Sequence, residues 1–234
     1  MLYNLKEMIP EVKGSLYTIV FFFVSEILYQ LYSRRRKHRA IRGAVGKENE
    51  SESRLSSTSL QVLFFPDKDV ACRDHFLTGN GCLKINCRFS HKKTSLSELY
   101  RHMLDCKKTM DVCVYLITCQ DLADTLARLF RRGVKMRIIT DSDQLRSSGS
   151  RIWSLRQEGI PVRTNPSAYL MHHKFVVIDG KVLLNGSFNW TVQAITGNQE
   201  NVIITDDSAV TSLFVSEFQR LWEEFDPIRQ GDGK

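Results

Sequence analysis

Proline is scarce and no segment recurs along the chain. Five prolines and 13 glycines in 234 residues exclude collagen-like, proline-rich and solenoid architectures. A disordered chain is excluded by the other side of the composition, 42% apolar and 25% charged residues. A strong charge of one sign is also missing from most of the sequence. The formal net charge is +7, yet Arg34, Arg35, Arg36, Lys37, Arg39 and Arg42 supply nearly all of it. The remainder is close to neutral, so charge alone says little about a substrate.

Only one long apolar run is present. Residues 14–33 carry a single charge, Glu26, and as a helix would be about 30 Å long, matching a hydrocarbon core. No small-x-small cleavage site follows it; the basic block does, which favours a retained anchor over a signal peptide. Basic residues beside a first span stay cytosolic, so the bulk of the chain is expected to face the cytosol. The expected division is a tail at 1–13, a transmembrane helix at 14–33, a basic flank and polar linker at 34–59, a catalytic domain at 60–227 and a tail at 228–234.

Within that domain, apolar periodicity switches between strand and helix. Strands are expected at 61–65, 111–118, 134–140, around Val162, at 175–178, 181–184 and 201–205, with Asp179-Gly180 as a hairpin turn. Helices are expected at 96–104 behind a Ser95 cap with Glu98 three residues on, at 122–132, near 144–158 and at 209–225. Strands alternating with helices point to an α/β class, a mixed or mainly parallel sheet with helices on both faces.

The six cysteines of a cytosol-facing domain stay reduced, which makes metal the first question. Cys72, Cys82, Cys87 and His91 are spaced C-x9-C-x4-C-x3-H. Three thiolates and an imidazole form a closed tetrahedral Zn²⁺ set, a structural site with no open position; His75 is the substitute ligand. The stretch 72–91 resembles CCCH zinc fingers, with the middle cysteine displaced by one from their usual C-x8-C-x5-C-x3-H.

His172, Lys174 and Asp179 form H-x-K-x4-D, followed after six residues by Gly186-Ser187-x-Asn189. On an extended chain, residues two apart share a side, so His172 and Lys174 bring a nucleophile and a phosphate-binding cation together. Ser187 and Asn189 repeat that spacing with neutral donors. The pattern resembles the HKD signature of the phospholipase D superfamily, H-x-K-x4-D-x6-G-S-x-N, at every defined position, and the likeness spans about 60–227. The resemblance implies a phospholipase D-like fold and His172 attacking phosphorus to give a phosphohistidine. It places Lys174, Ser187 and Asn189 on the phosphoryl group and Glu200, 28 residues after His172, on the histidine ring. Asp179 belongs to the catalytic signature, although its place beside a turn reads as structural.

Such active sites use two motifs, and this chain has one. A homodimer is therefore expected, with no catalytic metal. Anchor, cysteine/histidine module and single motif together resemble mitochondrial members of the superfamily. That implies the outer mitochondrial membrane and two substrates, single-stranded RNA precursors of piRNAs and the anionic phospholipid cardiolipin. Ribonuclease action is the leading expectation, with Arg151, Arg156, Arg163, Lys107 and Lys108 as backbone contacts. A lipase would need an apolar channel, for which Tyr169, Leu170 and Met171 are the local material. The intact motif speaks against a third possibility, an idle RNA-binding or membrane-tethering scaffold.

Overall fold

The computed structural model describes residues 58–78 and 80–228. The expected anchor, the basic flank and most of the linker lie outside the described residues. Among those described, no helix is long and apolar enough to cross a membrane.

Seven strands form one mixed sheet: β1 (Leu60–Phe65), β2 (Thr109–Val114), β3 (Lys135–Thr140), β4 (Val162–Thr164), β5 (Lys174–Ile178), β6 (Val182–Gly186) and β7 (Glu200–Thr205). Their order across the sheet is β1-β7-β6-β5-β2-β3-β4. The βαβ-type segments β2–β3–β4 pair in parallel, whereas β5, β6, β7 and β1 run antiparallel to their neighbours. The α/β expectation holds, with the parallel part confined to three strands.

Helices α1 (Arg73–Leu77), α2 (Ser95–Leu104), α3 (Gln120–Arg131), α4 (Ile152–Gln157), α5 (Val192–Thr196) and α6 (Ser208–Glu224) cover the sheet. On one face, Val112, Ile138, Val176, Leu184 and Val202 pack with Leu96, Tyr100, Leu122, Leu126 and Ile152. On the other, Cys113, Ile139, Phe175 and Leu183 pack under Phe218, Leu221 and Phe225. Leu122, Leu126 and Leu129 recur at helical spacing and are fully buried, which is why this stretch is helical. Gly133 ends that helix at φ 93, a left-handed position, with the Val134 N–H on the Leu129 carbonyl.

Three local expectations are corrected. The α2 cap is Thr94 rather than Ser95, in a reciprocal box with Ser97, because Glu98 turns away to meet Gln61 and Arg101. The stretch 144–158 is not one helix. A 3₁₀ turn at Ser142–Leu145 stops, Gly149 adopts φ 80, and helix resumes at Ile152. The serine- and glycine-rich run between them disfavours helix. Strand β2 stops at Val114 instead of Thr118, and α1 and α5, five residues each, are too short to show a period.

Glu98 ties β1 to α2. Burial would raise its carboxyl, but hydrogen bonds from Gln61 and Arg101, with the Arg101 charge, outweigh it and bring the pKa down to about 2. A lowered carboxyl stabilises the fold above its unfolded pKa, and that contribution is lost as pH falls through the folded value. Glu98→Gln is expected to lower stability by about 2 kcal/mol near neutrality. The deficit should shrink between pH 4.5 and about 2 in denaturant melts of both proteins.

Candidate functional site

The strand registers put Lys174, Gly186 and Glu200 at one end of the sheet. Lys174 lies opposite Val114, the last residue of β2, and Thr140 and Thr164 end β3 and β4 beside it. Gly186 ends β6 opposite Val202, and Glu200 begins β7 opposite Phe65. The site thus lies at the carboxyl ends of the parallel strands, where α/β sheets open a crevice.

His172 is exposed, its ring 4.8 Å from that of Tyr115. The Lys174 ammonium donates to the His172 carbonyl at 2.6 Å and sits 5.3 Å from the Tyr115 ring centroid. Burial lowers the Lys174 pKa, and the negative charge of Glu200 opposes that shift. The Tyr115 ring thus borders both His172 and Lys174.

Ser187 donates to the Glu200 carboxylate, and Asn198 donates to its other oxygen at 3.0 Å. The Asn201 N–H reaches the Ser187 hydroxyl at 3.2 Å. Among the described residues Glu200 makes no hydrogen bond to His172; the expected contact is replaced by Ser187 and Asn198. Asn189 keeps a buried side-chain oxygen without a hydrogen-bond partner. Gly186 is forced by space: a Cβ there would lie 2.0 Å from the Asn201 carbonyl oxygen.

Asp179 is at the opposite end of β5. Its carboxylate accepts the backbone N–H groups of Lys107, Lys108 and Thr109 at 2.9, 2.7 and 2.9 Å. Burial would raise its pKa, but those three donors outweigh it and the shift is downward. Asp179 and Gly180 have φ 54 and 66, the left-handed pair of a tight hairpin. The aspartate of the motif does not reach the site and acts on the frame.

Sequence reasoning missed several supports. Asp141, buried at the end of β3, accepts the Met171 N–H at 2.8 Å and so fixes the residue before His172. Asn165 accepts from Ser142 at 3.0 Å and donates to the Tyr169 carbonyl, fastening the same loop. His173 faces Glu217 at 3.8 Å and lies edge-on to Phe175. Burial lowers its pKa against the pull of Glu217. No spacing rule marks these residues, because their partners lie on other elements.

A cavity of about 420 Å³ adjoins His172, lined by Asn165, Tyr169, Leu170, Glu217, Arg220 and Phe225 among others. The expected basic contacts do not line it. Lys107 and Lys108 sit with Asp179 at the far end, and Arg163 is held by the Trp222 carbonyl and by Asp226 at 3.0 Å. Arg156 donates to the Val162 carbonyl at 3.2 Å. Arg151 caps α4 beside Thr118, near the strand ends.

Cys72, Cys82, Cys87 and His91 place one ligand atom each within 4.8 Å of one another. The Cys72 and Cys87 sulfurs are 3.6 Å apart, close to the edge of about 3.8 Å in a tetrahedron with metal–sulfur bonds near 2.3 Å. His75 is not in the set; its ring stacks on His91 at 4.5 Å. A backbone N–H from Phe89 lowers the Cys87 pKa, while burial raises that of Cys72. The donor set fits a tetrahedral cation.

Comparison with known proteins agrees with this geometry. A family described as cardiolipin synthase, PLD-like domain matches residues 99–222. The chain belongs to the phospholipase D superfamily. It is 45% identical over 166 residues to a mitochondrial cardiolipin hydrolase of Chlamydomonas reinhardtii, covering 71% of this chain and 74% of that one. The mouse protein of that name is 41% identical over 176 residues, covering 72% and 78%. Among solved structures, the phospholipase D family member Nuc of Salmonella typhimurium superposes with a TM-score of 0.57 at 21% identity, covering 73% of this chain and 97% of that one. The fold is thus the phospholipase D fold, and the chain is a phosphodiester hydrolase of that superfamily.

Gly186→Ala should lower stability by about 1–3 kcal/mol through overpacking against the Asn201 backbone. It should also pull Ser187 away from Glu200. Denaturant melts and turnover of the variant, measured side by side, check both effects.

Proposed function

We propose that the chain cleaves a phosphodiester of an anionic membrane lipid through a phosphohistidine on His172, formed where two identical chains meet. The observation that carries this reading is the convergence of His172, Lys174, Ser187 and Glu200 on one sheet end. An imidazole nitrogen of His172 forms a bond to phosphorus as the bond to the leaving oxygen breaks. The protonated His172 of a second copy gives its proton to that oxygen. Water then attacks phosphorus and passes a proton to the second imidazole, and the phosphorus–nitrogen bond breaks to release a monoester. One chain supplies one imidazole in this motif, and the two roles need two, which is the support for a homodimer.

Lys174 supplies positive charge to the non-bridging oxygens, Asn189 supplies a neutral donor, Ser187 supplies another once its hydroxyl turns from Glu200 to the phosphate, and Glu200 balances the Lys174 charge. This reading calls on no catalytic metal. The Cys72, Cys82, Cys87 and His91 set would hold a structural Zn²⁺, whose chemistry is to fold residues 72–91 around itself. The domain is assigned to 60–227.

Cardiolipin is the lipid assigned, on the names of the relatives, with phosphatidate as the monoester released. The open cavity beside His172, with Tyr169 86% exposed at its rim, offers apolar surface to a diacylglycerol group. Single-stranded RNA is the competing substrate; it rests on Arg151 near the strand ends and on the exposure of His172. The relatives' names also support a mitochondrial location, and the apolar run 14–33 supports a single-pass anchor in the outer membrane with the catalytic domain in the cytosol.

The full chain is incubated with cardiolipin vesicles and with single-stranded RNA, each with and without EDTA. Phosphatidate release that survives EDTA is expected, and His172→Asn should reduce it at least about a thousandfold. RNA cut to 5′-phosphate ends without phosphatidate would overturn the lipid assignment. Turnover retained by His172→Asn would overturn the mechanism.

A further inference from the structure

The loop between the second and third cysteines carries Leu83, Lys84, Ile85 and Asn86. Leu83 is 87% exposed and Ile85 99% exposed, and neither contributes to the domain's own core. Isolated exposed apolar residues are ordinary. Here, however, two aliphatic side chains share a four-residue loop whose ends, Cys82 and Cys87, both belong to the metal-ligating set. With both ends gathered in that cluster, the loop presents its tip to solvent.

Basic residues flank the ligands along the chain: Lys84 within the loop, Arg88 after Cys87, and Lys92 and Lys93 after His91. Arg88 lies over the Phe89 ring at 5.0 Å, and Lys92 is exposed. Lys84 meets Asp74 at 3.2 Å and Lys93 meets Glu98 at 3.3 Å, yet both lysine side chains are about two-thirds or more exposed, at 65% and 72%. An exposed aliphatic loop with exposed basic side chains beside it in the same module matches a phospholipid interface: Leu and Ile enter the acyl boundary while ammonium and guanidinium groups stay at the phosphates. Nucleic acid is the poorer fit, because bases stack on aromatic rings, the loop itself carries none, and the neighbouring Phe89 ring is 37% exposed with Arg88 over it. The insertion follows Phe65, which lies at the same end of the sheet as Glu200 and Lys174.

We propose that the Cys82–Cys87 loop is a docking tip for the surface of an anionic phospholipid bilayer. The assignment concerns binding, so it stands or falls apart from the choice of substrate. Ile85 is exposed enough for Ile85→Trp to leave the fold intact. The full chain carrying that substitution, and its parent, are mixed with vesicles of phosphatidylcholine alone or with an anionic phospholipid, all with brominated acyl chains. The added emission is expected to be quenched by anionic vesicles, to survive neutral ones, and to escape quenching when Arg88→Glu and Lys92→Glu are added. Far-ultraviolet circular dichroism verifies that each variant is folded. Emission unquenched by either vesicle would overturn the proposal, as would equal quenching by both. An emission change produced by single-stranded RNA and not by vesicles would overturn it in favour of a nucleic-acid contact.

Discussion

The carboxylate of Asp179 gathers three consecutive backbone N–H groups at the start of β2 while its own N–H donates to the Thr109 carbonyl. That knot joins the turn after β5 to the first residue of the neighbouring strand, so β5 cannot slide against β2. A slip by one residue would exchange the two faces of β5. It would carry Phe175 out from under Phe218 and turn Lys174 away from Tyr115. The H-x-K-x4-D spacing has this physical content: four residues of strand, 175–178, separate the aspartate that fixes the register from Lys174, whose position the register decides.

At the other end, the supports come from different elements and converge. Asp141 from the end of β3 holds Met171, and Tyr115 beyond β2 flanks both His172 and Lys174. The close approach of β6 to β7, permitted by Gly186, sets Ser187 against Glu200. A polar site so exposed needs such fixing, because phosphoryl transfer gains most from donors already in place. The cysteine/histidine cluster contributes no group to this sheet end and gathers four ligand atoms within a stretch that has few apolar residues of its own.

Much of the fold was legible where the signal is local. Leu122, Leu126 and Leu129 announce their helix and Asp179-Gly180 its hairpin, and the H-x-K and G-S spacings mark residues that the strand registers bring to one sheet end. Cys72, Cys82, Cys87 and His91 do come together as their spacing implied. What escaped depends on tertiary partners. The Thr94 cap displaced Ser95 because Glu98 was engaged by β1, and Glu200 met Ser187 rather than His172. The basic residues Lys107, Lys108 and Arg163 read as candidate contacts on charge alone, and the sheet puts each to a structural use or at the wrong end. Strand order, which decides which ends are neighbours, has no trace in periodicity.

The proposed mechanism requires two copies of His172 to act on one phosphorus atom, one as nucleophile and one as proton donor. Mixing native chains with His172→Asn chains under conditions that exchange subunits tests it directly. If each active site needs both imidazoles, an equimolar mixture retains about one quarter of the native activity, the share of purely native pairs. Retention of about one half, proportional to the native chains present, would show that each chain works with its own histidine alone and would contradict the paired site.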